Sequence, residues 1–177
     1  MKARIIFRIA LFLLLILPIS SNAQMIRDTE GWAVIPLNVN GLHLYGKYTK
    51  AQIIKALGNP IKFIESHFED EKLATWTFIY SNNDSFGFDD GRFVAMILRS
   101  SNFYVNKIVK VGGSTDGVYE MIKGLGNRVG LLEKKTLSKG EKYFSLQLAP
   151  GGDGYIHIYC TDWVRGYITE IEFYTIL

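Results

Sequence analysis

The chain has 177 residues, 20 of them Lys or Arg and 17 Asp or Glu, with three His, a single Cys and a formal net charge of +3. That length suffices for a core that folds without covalent staples, and one thiol forms no disulfide within the chain. The whole net charge is carried by Lys2, Arg4 and Arg8 at the N-terminus. The rest is neutral and has no global field to hold a polyanion, which excludes nucleic acid as the expected partner.

Those three cations precede an apolar run from Ile9 to Leu17, broken by Pro18, and Ser20-Ser21-Asn22 then leads to Ala23. Small residues at Ser21 and Ala23 suit a signal peptidase, so residues 1–23 read as a cleavable secretory signal and the mature chain starts at Gln24. The run is about half of the ~20 apolar residues a membrane span needs. No cysteine lies near the cut to accept a lipid. The expected address is the periplasm or the extracellular space, with no membrane anchor after cleavage.

Residues 24–45 are expected to form an N-terminal arm or strand. Thr49 and Gln52 fit a capping box, in which hydroxyl and amide satisfy otherwise orphaned backbone donors. Ile53, Ile54 and Leu57 make the apolar stripe of a short helix that Gly58 and Pro60 close. Strands are expected near Ile61–Ser66, Ala74–Tyr80, Arg92–Arg99 and Val105–Val111, with Asn82–Gly91 as a polar hairpin loop. A second helix starts near Ser114 to Asp116, carries Val118, Met121, Ile122 and Leu125 on one face, and stops at Gly126. Strands near Val129–Lys135, Tyr143–Leu148, Tyr155–Cys160 and Tyr167–Tyr174 follow, with Gly151-Gly152-Asp153-Gly154 as a hairpin turn. Cys160 alternates with Ile156 and Ile158, which predicts a buried, inert thiol.

The order helix-then-strands occurs twice. Lys55-Ala56-Leu57-Gly58-Asn59 parallels Lys123-Gly124-Leu125-Gly126-Asn127, and Asp90-Gly91, Phe93, Ala95 and Ile97 match Asp153-Gly154, Ile156, Ile158 and Cys160 at an offset of 63. Val105 and Ile108 then match Ile168 and Ile171. The pattern predicts an α+β fold made by tandem duplication, with repeats over 46–111 and 112–177 forming one domain. One antiparallel sheet would carry both helices on one face.

Leu44-Tyr45-Gly46-Lys47-Tyr48-Thr49-Lys50-Ala51-Gln52, followed by Leu57-Gly58-Asn59-Pro60, resembles the signature of the SmpA/OmlA (BamE-like) domains. In tandem, the unit is similar to the β-lactamase inhibitory protein fold. The resemblance implies an exported, non-enzymatic, protein-binding module. Two departures stand out: Arg128 replaces the proline in the second unit, and the lipid-acceptor cysteine of the assembly factors is missing.

No cofactor, metal or catalytic motif is expected. His43, His67 and His157 lack metal spacing. Asn82–Gly91 alternates oxygen donors in the manner of a calcium loop but has Phe86 at a ligand position and lacks the closing Glu. Gly112-Gly113-Ser114-Thr115 precedes a helix, as an anion site would, without the Lys of a phosphate loop. Alternation in the strands instead suggests a recognition surface. If Trp76, Phe78, Tyr80, Phe93, Ile156 and Ile158 face the helices, the opposite face carries Thr75, Thr77, Ile79, Val94, Met96, Gln147, Tyr155, His157 and Tyr159. Thr77, Met96, Gln147, Tyr155, His157, Tyr159 and the loop residue Trp163 are the expected contacts to another exported or envelope protein. A small-ligand or glycan site using Trp163, Tyr155 and Tyr159 is the alternative. A hydrolase would need His157 or His67 beside a Ser and a carboxylate.

Overall fold

A computed structural model describes residues 37–67, 74–125, 129–148 and 154–175. The expected signal peptide, most of the arm over 24–45, the close of the second helix at Gly126 and most of the turn at 151–154 lie outside these residues. Among them the order is β1 (Asn38–Val39), β2 (Leu42–His43), α1 (Lys50–Leu57), β3 (Lys62–His67), β4 (Ala74–Ile79), β5 (Ser85–Asp89), β6 (Arg92–Leu98), α2 (Asp116–Leu125), β7 (Val129–Thr136), β8 (Lys142–Leu148), β9 (Gly154–Cys160) and β10 (Ile168–Thr175). β1 and β2 form a small hairpin. The other eight strands form one antiparallel sheet in the order β3-β4-β5-β6-β10-β9-β8-β7. Consecutive strands pair antiparallel on either side, and the two sets of four join where β6 meets β10, with Leu98 opposite Ile171.

This corrects the expected α+β duplication. The protein is mostly β, dominated by an eight-stranded sheet, and among the described residues it has only two short helices. Helices of eight and ten residues are about 12 and 15 Å long, whereas eight strands side by side span about 34 Å. The helices therefore cover only part of the buried face. Leu37, Val39, Leu42 and Leu44 of the N-terminal hairpin, with Phe103, Val105 and Val109 of the β6–α2 connection, complete the same core.

The repeat offset fails for two local reasons. Val105–Val111 is a fold-back rather than a strand. Asn106 and Lys107 take positive φ, the Val105 and Val109 amides bond within the turn, and Val105 bridges to Val39. In β6, Gly87 pairs with Ala95 while Phe88 pairs with Phe93, so Val94 is an extra, bulged residue. A bulge shifts the alternation by one. Phe93 and Met96 both point into the core, and Ala95 does not follow the inward pattern of Ile158.

α1 follows its sequence closely. Gln52 N–H donates to Thr49 Oγ1 at 3.3 Å, and Thr49 N–H donates to Gln52 Oε1 at 2.8 Å. Gly58 caps the C-terminus at φ +85. Ile53 and Leu57 enter the core, whereas Ile54 of the expected stripe stays exposed. Lys50 lies 4.9 Å from the ring centres of Phe63 and Trp76 and pairs with Glu65 at 2.8 Å. α2 buries Val118, Met121 and Leu125, and Tyr119 meets Phe144 edge-on at 5.5 Å.

The stretch expected as a polar loop at Asn82–Gly91 contains β5. Phe86 and Phe88 are core residues that contact Phe93 at 6.0 and 5.0 Å. Asp84 is fully buried and serves structure. Its Oδ1 accepts the backbone N–H groups of Arg99 at 2.6 Å and Ser100 at 2.9 Å, and Oδ2 is hydrogen-bonded to the Ser100 hydroxyl. The turn at Asp90-Gly91 is present, with Gly91 at φ +79 packed against the Tyr48 carbonyl.

Candidate functional site

Alternation in β8, β9 and β10 sends Phe144, Leu146, Ile156, Ile158, Ile171 and Phe173 into the core. It sends Tyr143, Ser145, Gln147, Tyr155, His157, Tyr159, Glu170, Glu172 and Tyr174 to the opposite face. The ladder sets the rows across that face. Gln147 stands opposite Tyr155 and Tyr155 opposite Tyr174, and Tyr143 stands opposite Tyr159. Four tyrosines thereby surround His157. Its ring centre lies 4.9 Å from Tyr143, 5.4 Å from Tyr174 and 6.3 Å from both Tyr155 and Tyr159. Tyr143–Tyr159 at 5.3 Å and Tyr155–Tyr174 at 6.5 Å close the cluster. Among the described residues every ring contact of these five is to another of the five.

The charges beside the rings are arranged unevenly. Arg99 donates to Glu170 at 2.7 and 3.4 Å, and Lys135 pairs with Glu133 at 2.6 Å. Glu172 accepts the Tyr159 hydroxyl at 3.1 Å. Burial, then the neighbouring Glu170 carboxyl, holds Glu172 above the ordinary carboxylate range. Burial, then the Lys135 charge, holds the His157 imidazole below its usual range, so it is neutral at pH 7. Burial, then the charge of Glu172, pushes the Tyr159 hydroxyl well up. Among the described residues the cluster therefore presents neutral rings and hydroxyls beside Glu172, a carboxylate without an ion-paired basic partner.

A groove of about 270 Å³ runs beside the cluster toward β4. Gly87 and Ala95 form its floor, and Thr77, Ser85, Ile97 and Tyr174 rise around it with Glu172 at the side. It exists because Gly87 has no side chain; a Cβ there would sit 3.2 Å from that of Ala95.

Of the residues expected on this face, Tyr155, His157 and Tyr159 come together at its centre. Gln147 stands beside Tyr155, and Thr77 borders the groove. Met96 borders the groove without presenting its side chain, which is 1% exposed and turned into the core by the Val94 bulge. Trp163 also lies apart. Its indole N–H donates to the Tyr143 carbonyl at 3.4 Å, its own carbonyl accepts the Tyr119 hydroxyl at 3.1 Å, and the Lys142 ammonium sits 5.1 Å from its ring centre. Tyr143, Tyr174, Glu172 and the Arg99–Glu170 pair were missed by sequence reasoning. Each follows from the two-residue period of its strand, and register alone brings them together. Cys160 faces the core, and burial pushes its thiol pKa up.

The cross-strand row Ser145–His157–Glu172 holds a hydroxyl, an imidazole and a carboxyl. No hydrogen bond joins the three side chains. Ser145 is buried at 3% exposure, and the strand amides around it are consumed by ladder bonding. The row thus lacks the bonded nucleophile–base pair that the hydrolase alternative called for. The Gly112–Thr115 stretch offers no anion cradle either: Gly112, Gly113 and Thr115 amides donate to the carbonyls of Ile168, Lys110 and Gly166. Among the described residues no three His, Cys, Asp or Glu side chains converge to hold a metal, and no helix is long and apolar enough to cross a membrane. The chain matches no family model, and its comparison with curated proteins and solved structures finds no significant similarity.

Proposed function

We propose that this chain is an exported, non-catalytic module that binds another exported or envelope protein through the helix-free face of its sheet. The observation that carries the reading is the set of four tyrosines packed around His157 on three adjacent strands. Tyrosine supplies a large, stiff contact area at low entropic cost, and its hydroxyl tolerates water before binding and bonds after it. A neutral imidazole at the centre adds polar contact without a charge to desolvate. The groove beside the cluster is open, which suits a protein surface better than a ligand needing enclosure. Trp163 does not join Tyr155 and Tyr159, which removes the three-ring platform that a glycan site was expected to use. Export rests on the pattern of residues 1–23, and the protein-binding class is also what the BamE-like resemblance implies.

The test is capture of exported proteins on the purified chain, run in parallel with a Tyr155→Ala/Tyr159→Ala variant of unchanged circular dichroism. A partner is expected on the native chain and at least tenfold less of it on the variant. Equal recovery on both would remove this face from the reading.

A further inference from the structure

The groove and the cluster differ in chemistry, and Glu172 sits between them. Every other charge beside the rings has an internal counter-ion: Arg99 has Glu170, and Lys135 has Glu133. Among the described residues Glu172 forms no ion pair; it accepts the Tyr159 hydroxyl and crowds the Glu170 carboxyl. The Arg99 guanidinium lies within electrostatic reach of it but is engaged by Glu170. The faces of Tyr174 and His157 lie to one side, and the apolar trough over Gly87 and Ala95 lies to the other. A half-buried carboxylate without a cation is costly in the free protein, and a cation brought by a partner relieves that cost. Tyrosine faces around it attract the same cation.

We propose that this groove seats a large apolar side chain of the protein partner and that Glu172 takes the ammonium or guanidinium of an adjacent residue. The face then selects a segment in which Lys or Arg neighbours a large aliphatic or aromatic side chain. This rests on the protein-binding reading of the open face and adds the chemistry of what is bound. The trough supplies affinity by removing apolar surface from water. The carboxylate supplies specificity, because an acidic segment would place two uncompensated anions together.

A library of random twelve-residue peptides displayed on phage, selected on the purified chain, tests the assignment. Selected peptides are expected to be enriched in a basic residue next to Leu, Phe, Tyr or Trp. A synthetic peptide of that kind should bind about tenfold or more weakly to Glu172→Gln, a loss typical of a charged hydrogen bond. It should also bind more weakly to Ala95→Leu, which fills the trough. Replacing the basic residue of the peptide by norleucine should give the same loss with the protein unaltered, so the test stands even where a variant folds poorly. If selected peptides lose binding with Tyr155→Ala/Tyr159→Ala yet carry no basic residue, or bind Glu172→Gln equally well, the assignment to Glu172 falls and the open-face reading stands. If no selected peptide depends on the tyrosines, both fall.

Discussion

His157 shows how far one side chain's surroundings decide its chemistry. Placed in a strand among four tyrosines, its imidazole loses water and feels the charge of Lys135, and both favour the neutral form. The folded pKa lies below the unfolded value of about 6.5, so the unfolded chain binds the proton first as pH falls. The stability this residue contributes is present above that value and is lost on acidification through it toward the folded pKa. Urea unfolding at pH 7.5 and 5.5 should therefore show a fall in stability that His157→Asn reduces. Glu172 acts in the opposite sense, since its raised pKa lets the folded state gain the proton first. The comparison is cleanest in a Glu172→Gln background, and an identical pH slope with and without His157 would refute it. Sequence alone placed Tyr155, His157 and Tyr159 on one face, because alternation within a single strand needs no partner. It did not place Tyr143 or Tyr174 beside them, because that depends on which strands are neighbours and in what register.

Single elements were legible where their signals are local. The cap, stripe and stop of α1 lie within ten residues, and the helix forms where they indicate. Thr49→Ala removes the acceptor for the Gln52 amide and should cost about 1 kcal/mol. Thermal unfolding should register this as about 2–4 °C in midpoint; no shift would mean that water replaces the cap. Apart from β5, the strands of the large sheet are legible from their apolar alternation, with edges at most one residue off. Three features depart from that reading. The Val94 bulge moves Met96 inward, and nothing in a run of apolar residues marks where an extra residue is absorbed. The polar letters Asn82-Asn83-Asp84 mask the alternation of Phe86 and Phe88 that follows, so β5 has the sequence of a loop. Asp84 itself belongs to the interior because three donors converge on it, a circumstance created by the fold and invisible in its neighbours along the chain. Val105 and Val109, spaced as on one face of a strand, close a turn instead.

At the scale of the molecule, two sets of four consecutive strands meet along one line, β6 against β10. Ile171 is fully buried on that line opposite Leu98. Ile171→Ala should lower stability by about 2–4 kcal/mol, and urea unfolding should lose both halves in one transition; separate transitions would show that the halves are independent. The proposed contact surface spans the same line, with Tyr155 and His157 on β9, Glu172 and Tyr174 on β10, and the trough reaching β4. The line pairs residues more than seventy positions apart, a separation that slows assembly. A ribosome that has not yet released Ile168 holds a chain whose β6 and β9 both lack their shared neighbour, with backbone groups bare on each. Until that strand arrives the two halves have no reason to align, and the incomplete edges are open to pairing with other chains. The slow step in making this protein is thus set by the position of one strand, and so is the interval in which it most needs protection from aggregation.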